Sequence, residues 1–159
     1  MTQTEMSGFE KKVPKPKTRA QLGLRSKMKG KSFERLIVKK LTEAGIKSAR
    51  GWWQSCGGGN VPDVMVEGLW LELGHGKAMQ PRVKLEQAEA YVKERPHVPV
   101  IPVAVTRRNG EPIQVTMRLG GLLALTKSGA CKTPELMVTM SWESFVALLN
   151  TPKSENYIP

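Results

Sequence analysis

Two carboxylates sit inside an otherwise apolar hairpin pattern, and no other feature limits the possible fold of this chain as strongly. Residues 61–66 (VPDVMV) and 69–73 (LWLEL) are short, branched and apolar, and Glu67-Gly68 between them fits a two-residue turn. Such a turn sets Val66 opposite Leu69, Met65 opposite Trp70, Val64 opposite Leu71 and Asp63 opposite Glu72. Opposed side chains lie about 5 Å apart at Cβ, where two like charges destabilise the pair unless something neutralises them. A divalent metal ion would do so.

The hairpin needs partners, and the flanking sequence supplies them. Upstream, GKSFERLIVKKLTEAG carries Phe33, Leu36, Ile37, Leu41 and Ala44 at three- and four-residue spacing, which predicts a helix over residues 31–44 ended by Gly45. Residues 46–54, with Trp52 and Trp53, favour a strand that runs into the glycine loop SCGGGN. Downstream, Pro81 suits the first turn of a second helix that stops before Pro96. Strands are expected over 98–106, 112–119 and 136–140, a short helix over 120–126, and a last helix to residue 149 capped by Ser141. The fold class is therefore α/β, a mixed sheet flanked by helices in the order α-β-β-β-α-β with C-terminal additions.

Charge divides the chain unevenly. Residues 1–50 hold 14 Lys and Arg against four Glu, a net of +10, whereas residues 51–159 hold 11 against ten acids, a net of +1. A basic block of that kind is an electrostatic footprint for a polyanion, most simply nucleic acid. The expected organisation is a flexible basic arm over 1–29, a single domain over 30–150 and a loose tail over 151–159. The expected phosphate contacts are Lys11, Lys12, Lys15, Lys17, Arg19, Arg25, Lys27, Lys29 and Lys31. No apolar run reaches the roughly 20 residues that cross a bilayer, and the N-terminus lacks an apolar signal region, so a cytoplasmic location is expected. Cys56 and Cys131 lack metal-binding spacing and are read as free thiols.

The VPD of residues 61–63, nine residues before Glu72 in WLEL, together with this element order, resembles the PD-(D/E)xK nuclease superfamily. Its Holliday-junction resolvase-like members and small phage endonucleases are the nearest in pattern, and the likeness runs from residue 31 to residue 106. It implies a restriction-endonuclease-like core, a Mg²⁺- or Mn²⁺-dependent endonuclease acting on branched or duplex DNA, a homodimer, and the host cytoplasm for a phage-encoded chain. It also implies metal ligation by Asp63, Glu72 and the Leu73 carbonyl. Glu34 on the first helix would serve a water or a second ion, Ser55 would lie in a loop facing DNA, and Gln87 on the second helix would stand near the site. Magnesium takes hard oxygen ligands and keeps several waters, so two or three carboxylates suffice.

One motif position departs from the pattern. Two residues after Glu72, where such nucleases usually carry lysine, stands Gly74, in ELGHGK. His75 and Lys77 follow at once, with Lys77 favoured for its longer reach, and Lys84, Gln87 and Tyr91 share one face of the second helix. On a regular strand His75 and Lys77 point away from the face of Glu72, so either one requires the chain to bend at Gly74. Two other readings compete: a catalytically degenerate DNA-binding protein on the same fold, favoured by the missing lysine, and a basic nucleic-acid chaperone whose acids are structural.

Overall fold

Thr18 starts the first helix by reciprocal capping: its hydroxyl accepts from the Gln21 N–H at 3.3 Å, and its own N–H donates to Gln21 Oε1 at 3.1 Å. The computed structural model describes residues 18–51, 61–126 and 133–151. Helix α1 (Arg19–Glu43) begins 12 residues before the expected start at Lys31. Residues 19–29, expected in a flexible arm, are its exposed first half. The spacing argument failed there because apolar burial begins only at Phe33, while the helix is nucleated by the Thr18–Gln21 box.

The remaining elements follow the expected order. They are β1 (Ser48–Arg50), β2 (Val64–Val66), β3 (Leu69–Gly76), α2 (Pro81–Lys93), β4 (Ile101–Arg108), β5 (Gln114–Arg118), α3 (Leu119–Leu125), β6 (Met137–Ser141) and α4 (Trp142–Asn150). The six strands lie in the sheet in sequence order. All neighbours are antiparallel except β3 and β4, which are parallel and joined through α2. This is the mixed α/β sheet flanked by helices that the sequence implied. No helix among the described residues is long and apolar enough to cross a membrane.

The sheet has two unlike faces. Leu69, Leu71 and Leu73 of β3 pack with Val103, Val105, Val115 and Met117 against Phe33, Ile37 and Leu41 of α1 and against Trp142 and Phe145 of α4. Each large side chain fully buried in this layer contributes about 1.5–3 kcal/mol, so this face supplies most of the hydrophobic stabilisation. The other face carries Trp70, Glu72, Ala104, Thr106 and Thr116, with α2 laid across β3 and β4. Placing polar groups and alanines beneath a helix gives up apolar burial, and this is the face on which the candidate chemistry collects.

Trp52, Trp53, Ser55, Cys56, the glycine loop, Cys131, Lys11, Lys12, Lys15, Lys17 and the tail from residue 152 lie outside the described residues.

Candidate active site

The hairpin register is the expected one over Val64↔Leu71, Met65↔Trp70 and Val66↔Leu69, with Gly68 at φ +73° in the turn. The ladder stops there, one step short of the expected pairing of Asp63 with Glu72. Asp63 donates its N–H to the Leu71 carbonyl at 3.1 Å, and its Oδ2 accepts from the Leu73 N–H at 2.7 Å. Its carbonyl receives the Gly51 N–H at 3.1 Å. Asp63 is thus fixed by backbone on both sides, from β3 and from the end of β1.

Gly51 is part of that fixation. A Cβ at residue 51 would lie 2.2 Å from the Pro62 carbonyl oxygen, a backbone atom that cannot turn aside. Gly51→Ala is therefore expected to push the Pro62–Asp63 backbone off β1 and to cost about 2–3 kcal/mol. Urea unfolding would show a lower midpoint with an unchanged slope; a midpoint equal to wild type would show that the close approach has no energetic role.

Glu72 is 5% exposed, a buried carboxylate in mid-strand. Burial pushes its pKa above 4.5, the nearby Asp63 charge pushes it further the same way, and Lys84 opposes both. The Lys84 ammonium lies 3.0 Å from Glu72 Oε1 and 3.0 Å from Gln87 Oε1. Lys84 and Gln87 are three residues apart on α2, so one helical face presents both to the strand. Alternation along β3 puts Gly74 on the same face as Glu72. A Cβ there would meet Met79 Sδ at 2.5 Å and Lys84 Cγ at 3.2 Å. The stem of Lys84 fills the space above the glycine where a lysine two residues after Glu72 would rise.

The placement of α2 makes this possible. Arg118 of β5 grips Glu89 with two parallel bonds, Nε to Oε1 at 2.6 Å and Nη2 to Oε2 at 2.9 Å. Tyr91 stacks on Trp70 with ring centroids 5.8 Å apart, and the Arg95 guanidinium lies 5.4 Å from the Trp70 ring. Ala88 and Ala104 are fully buried and leave no bulk to hold the helix away from the sheet. The sequence offered Lys84 and Gln87 as a shared helix face; these three anchors, distant in sequence, are what aim that face at Glu72.

The other expected residues stand elsewhere. Strand β3 does not bend at Gly74 but runs in parallel register to Gly76, with Gly74↔Thr106, His75↔Arg107 and Gly76↔Arg108. His75 consequently faces α1, its ring 5.3 Å from that of Phe33. Lys77 is exposed in the turn after β3. Neither meets the bend required to reach the face of Glu72. Glu34 is engaged by Arg50, whose Nε lies 3.0 Å and Nη2 2.5 Å from Glu34 Oε2. Arg50 was a missed partner, visible in sequence only as the last cation before the glycine loop. Arg50 pairs in register with Val64, a residue of the α1 face, which sets Glu34 apart from Glu72.

Among the described residues no group of three or more His, Cys, Asp and Glu side chains is arranged to hold a metal. The fit of a hard cation rests on two carboxylates. Burial first and the Asp63 charge second raise the Glu72 pKa in spite of Lys84, and the two carboxylates outnumber the one lysine beside them. A divalent ion with two carboxylates, the Leu73 carbonyl and waters suits that donor set.

The raised Glu72 pKa has a direct stability consequence. The folded state holds this proton more tightly than the unfolded chain, so ionising Glu72 costs stability as pH rises through its folded pKa. Glu72→Gln is expected to be more stable than wild type at neutral pH, by about 2–4 °C in Tm for each kcal/mol released. The advantage should disappear below pH 4.5, where the carboxyl is protonated in both states. Thermal melts at pH 7.5 and pH 4 check this; a variant less stable at both would show that the Lys84 ion pair outweighs burial.

No protein-family model and no curated protein matches the chain. Among solved structures, a similar one is Hjc, a Holliday junction resolvase from the hyperthermophilic archaeon Archaeoglobus fulgidus. The two share 15% identity over 53% of this chain and 72% of that one, with a TM-score of 0.40.

Proposed function

We propose that this protein is a divalent-metal-dependent DNA endonuclease whose centre is Asp63, Glu72 and Lys84, with Gln87 as a positioning residue. The observation that carries the reading is the Lys84 ammonium at 3.0 Å from Glu72 on the strand face that also bears Gly74. A lysine from α2 thereby takes the place left empty in the strand motif.

Each side chain has a task that its surroundings support. Asp63 and Glu72, with the Leu73 carbonyl, would hold the metal, which relieves charge on the phosphoryl oxygens and lowers the pKa of water. Lys84 has three N–H donors, two of them directed at Glu72 and Gln87, and an ammonium held there can meet an attacking water or a phosphoryl oxygen. Gln87 fixes the direction of that ammonium. Partial burial of Lys84, whose side chain is 22% exposed, strengthens its field on whatever enters.

The direct test is incubation of the protein with a labelled four-way junction, a linear duplex and a single strand, each with Mg²⁺, Mn²⁺ or chelator. Metal-dependent cleavage of any of them is expected, and the junction arm with sedimentation of the complex tests the resolvase-like and homodimeric form of the reading. Tight binding without cleavage under every metal would instead favour the degenerate DNA-binding protein, the reading that the glycine at position 74 first suggested.

A further inference from the structure

The sheet face opposite Glu72 holds a second feature that the carboxylate site does not use. Between the N-terminal half of α1 and the C-terminal ends of β3 and β4 lies an open cleft of about 550 Å³, lined by Arg25, Met28, Lys29, Ser32, His75 and Arg107 over a floor of Phe33 and Leu36. Among the described residues three cations line it and no acid does. Salt bridges among the described residues engage Lys39, Arg50, Arg82, Lys84 and Arg118, and none engages Arg25, Lys29 or Arg107. Three neighbouring cations without a carboxylate repel one another, a cost that an anion removes.

We propose that this cleft binds the phosphodiester backbone of a DNA strand, gripping it on the α1 side of the sheet while the carboxylate pair faces the α2 side. That the polyanion is DNA rests on the nuclease reading; that the cleft takes phosphates rests on its own lining. Arg107 is braced for the task, since its Nε donates to the Glu111 carbonyl at 3.1 Å. Ser32 adds a hydroxyl to the lining, and the buried Phe33 beneath excludes water from the floor. Arg25 and Lys29 lie about one turn apart on the exposed first half of α1, so the positive lining runs along the helix. An open cleft continuous with a basic helix suits an extended strand better than a small phosphate compound. His75 lies three residues after Glu72 on β3, so one nucleic acid crossing the end of that strand would meet both faces.

Anisotropy titrations of labelled duplex and single-stranded DNA in chelator, at increasing KCl, test this without any dependence on catalysis. The Lys29→Ala/Arg107→Ala double variant is expected to lower affinity for both DNAs and to reduce the log–log salt slope on duplex by about 1.8, at 0.9 per phosphate contact. Arg107→Lys should retain most of the slope. Lys93→Ala, an exposed cation at the end of α2, should leave it unchanged. An unaltered slope in the double variant, or an equal loss from Lys93→Ala, would overturn the cleft as a specific site. Replacing KCl by sodium phosphate at equal ionic strength should displace DNA no better; strong displacement would assign the cleft to small phosphate compounds and overturn the polynucleotide assignment. Failure of the nuclease reading looks different: DNA binding would depend on the cleft although no metal supports cleavage.

Discussion

Lys84→Ala is expected to lower the DNA cleavage rate by about 10²–10⁴-fold, the range for a positioned proton-transfer group, while metal binding persists. The loss should appear in kcat rather than KM, because the ammonium lies against Glu72 and Gln87 and not on the outer surface. Lys77→Ala should cleave within a few-fold of wild type, since Lys77 is exposed in a turn beyond the end of β3. Gln87→Ala should fall between them, because it removes one of the two groups that hold the ammonium in place. Transplanting the amine offers a stricter check. Gly74→Lys alone should be poorly active, with its Cβ crowded by Met79 and by the Lys84 stem at 3.2 Å. In Lys84→Ala that stem is gone, and Gly74→Lys should recover at least tenfold of the lost rate. A Lys84→Ala protein that cleaves at the wild-type rate would remove this lysine from the mechanism.

Much of this was legible in the sequence, and the misses have identifiable causes. The hairpin could be read because apolar residues flank a Glu-Gly turn, and the turn length fixes which side chains share a face. Ser141 could be read as a cap because its hydroxyl is followed by an apolar run at helical spacing; it accepts from the Ser144 N–H at 3.1 Å. The early start of α1 escaped notice because Gly23 and Gly30 argue against helix and no apolar stripe precedes Phe33. The residue that replaces the motif lysine was legible only as a choice among His75, Lys77 and the second-helix face of Lys84 and Gln87. Spacing along β3 already excluded Lys77 and His75 unless the strand bent, and whether it bends is decided by the parallel register with β4, a contact between distant parts of the chain. The strand expected over 98–106 stops short of Arg107, whereas β4 continues through Arg108 and places Arg107 in the cleft wall. Arg50 escaped for a similar reason, since nothing local marks it as the partner of Glu34.

Removal of either acid should have the largest effect of all. Asp63→Asn and Glu72→Gln keep shape and most hydrogen bonding but withdraw the charge that a hard cation requires, so cleavage should fall by at least about 10³-fold. In Glu72→Gln stability should not fall with it, because Glu72 is a buried carboxylate whose ionisation the fold disfavours. Loss of activity with a maintained or raised Tm at neutral pH would mark a functional carboxylate rather than a structural one.

The most direct measurement of the central claim joins metal to these residues in one protein. Thermal melts of wild type and Glu72→Gln, with and without Mn²⁺, are run beside the cleavage assay on the same preparations. A metal that binds only the folded state raises its stability, by about 2.7 kcal/mol at a hundred times Kd. Wild type is expected to gain stability with Mn²⁺ and to cleave DNA, and Glu72→Gln to show neither response. Equal stabilisation of both proteins by Mn²⁺, or cleavage that survives Glu72→Gln, would contradict the assignment of Asp63, Glu72 and Lys84 as the centre.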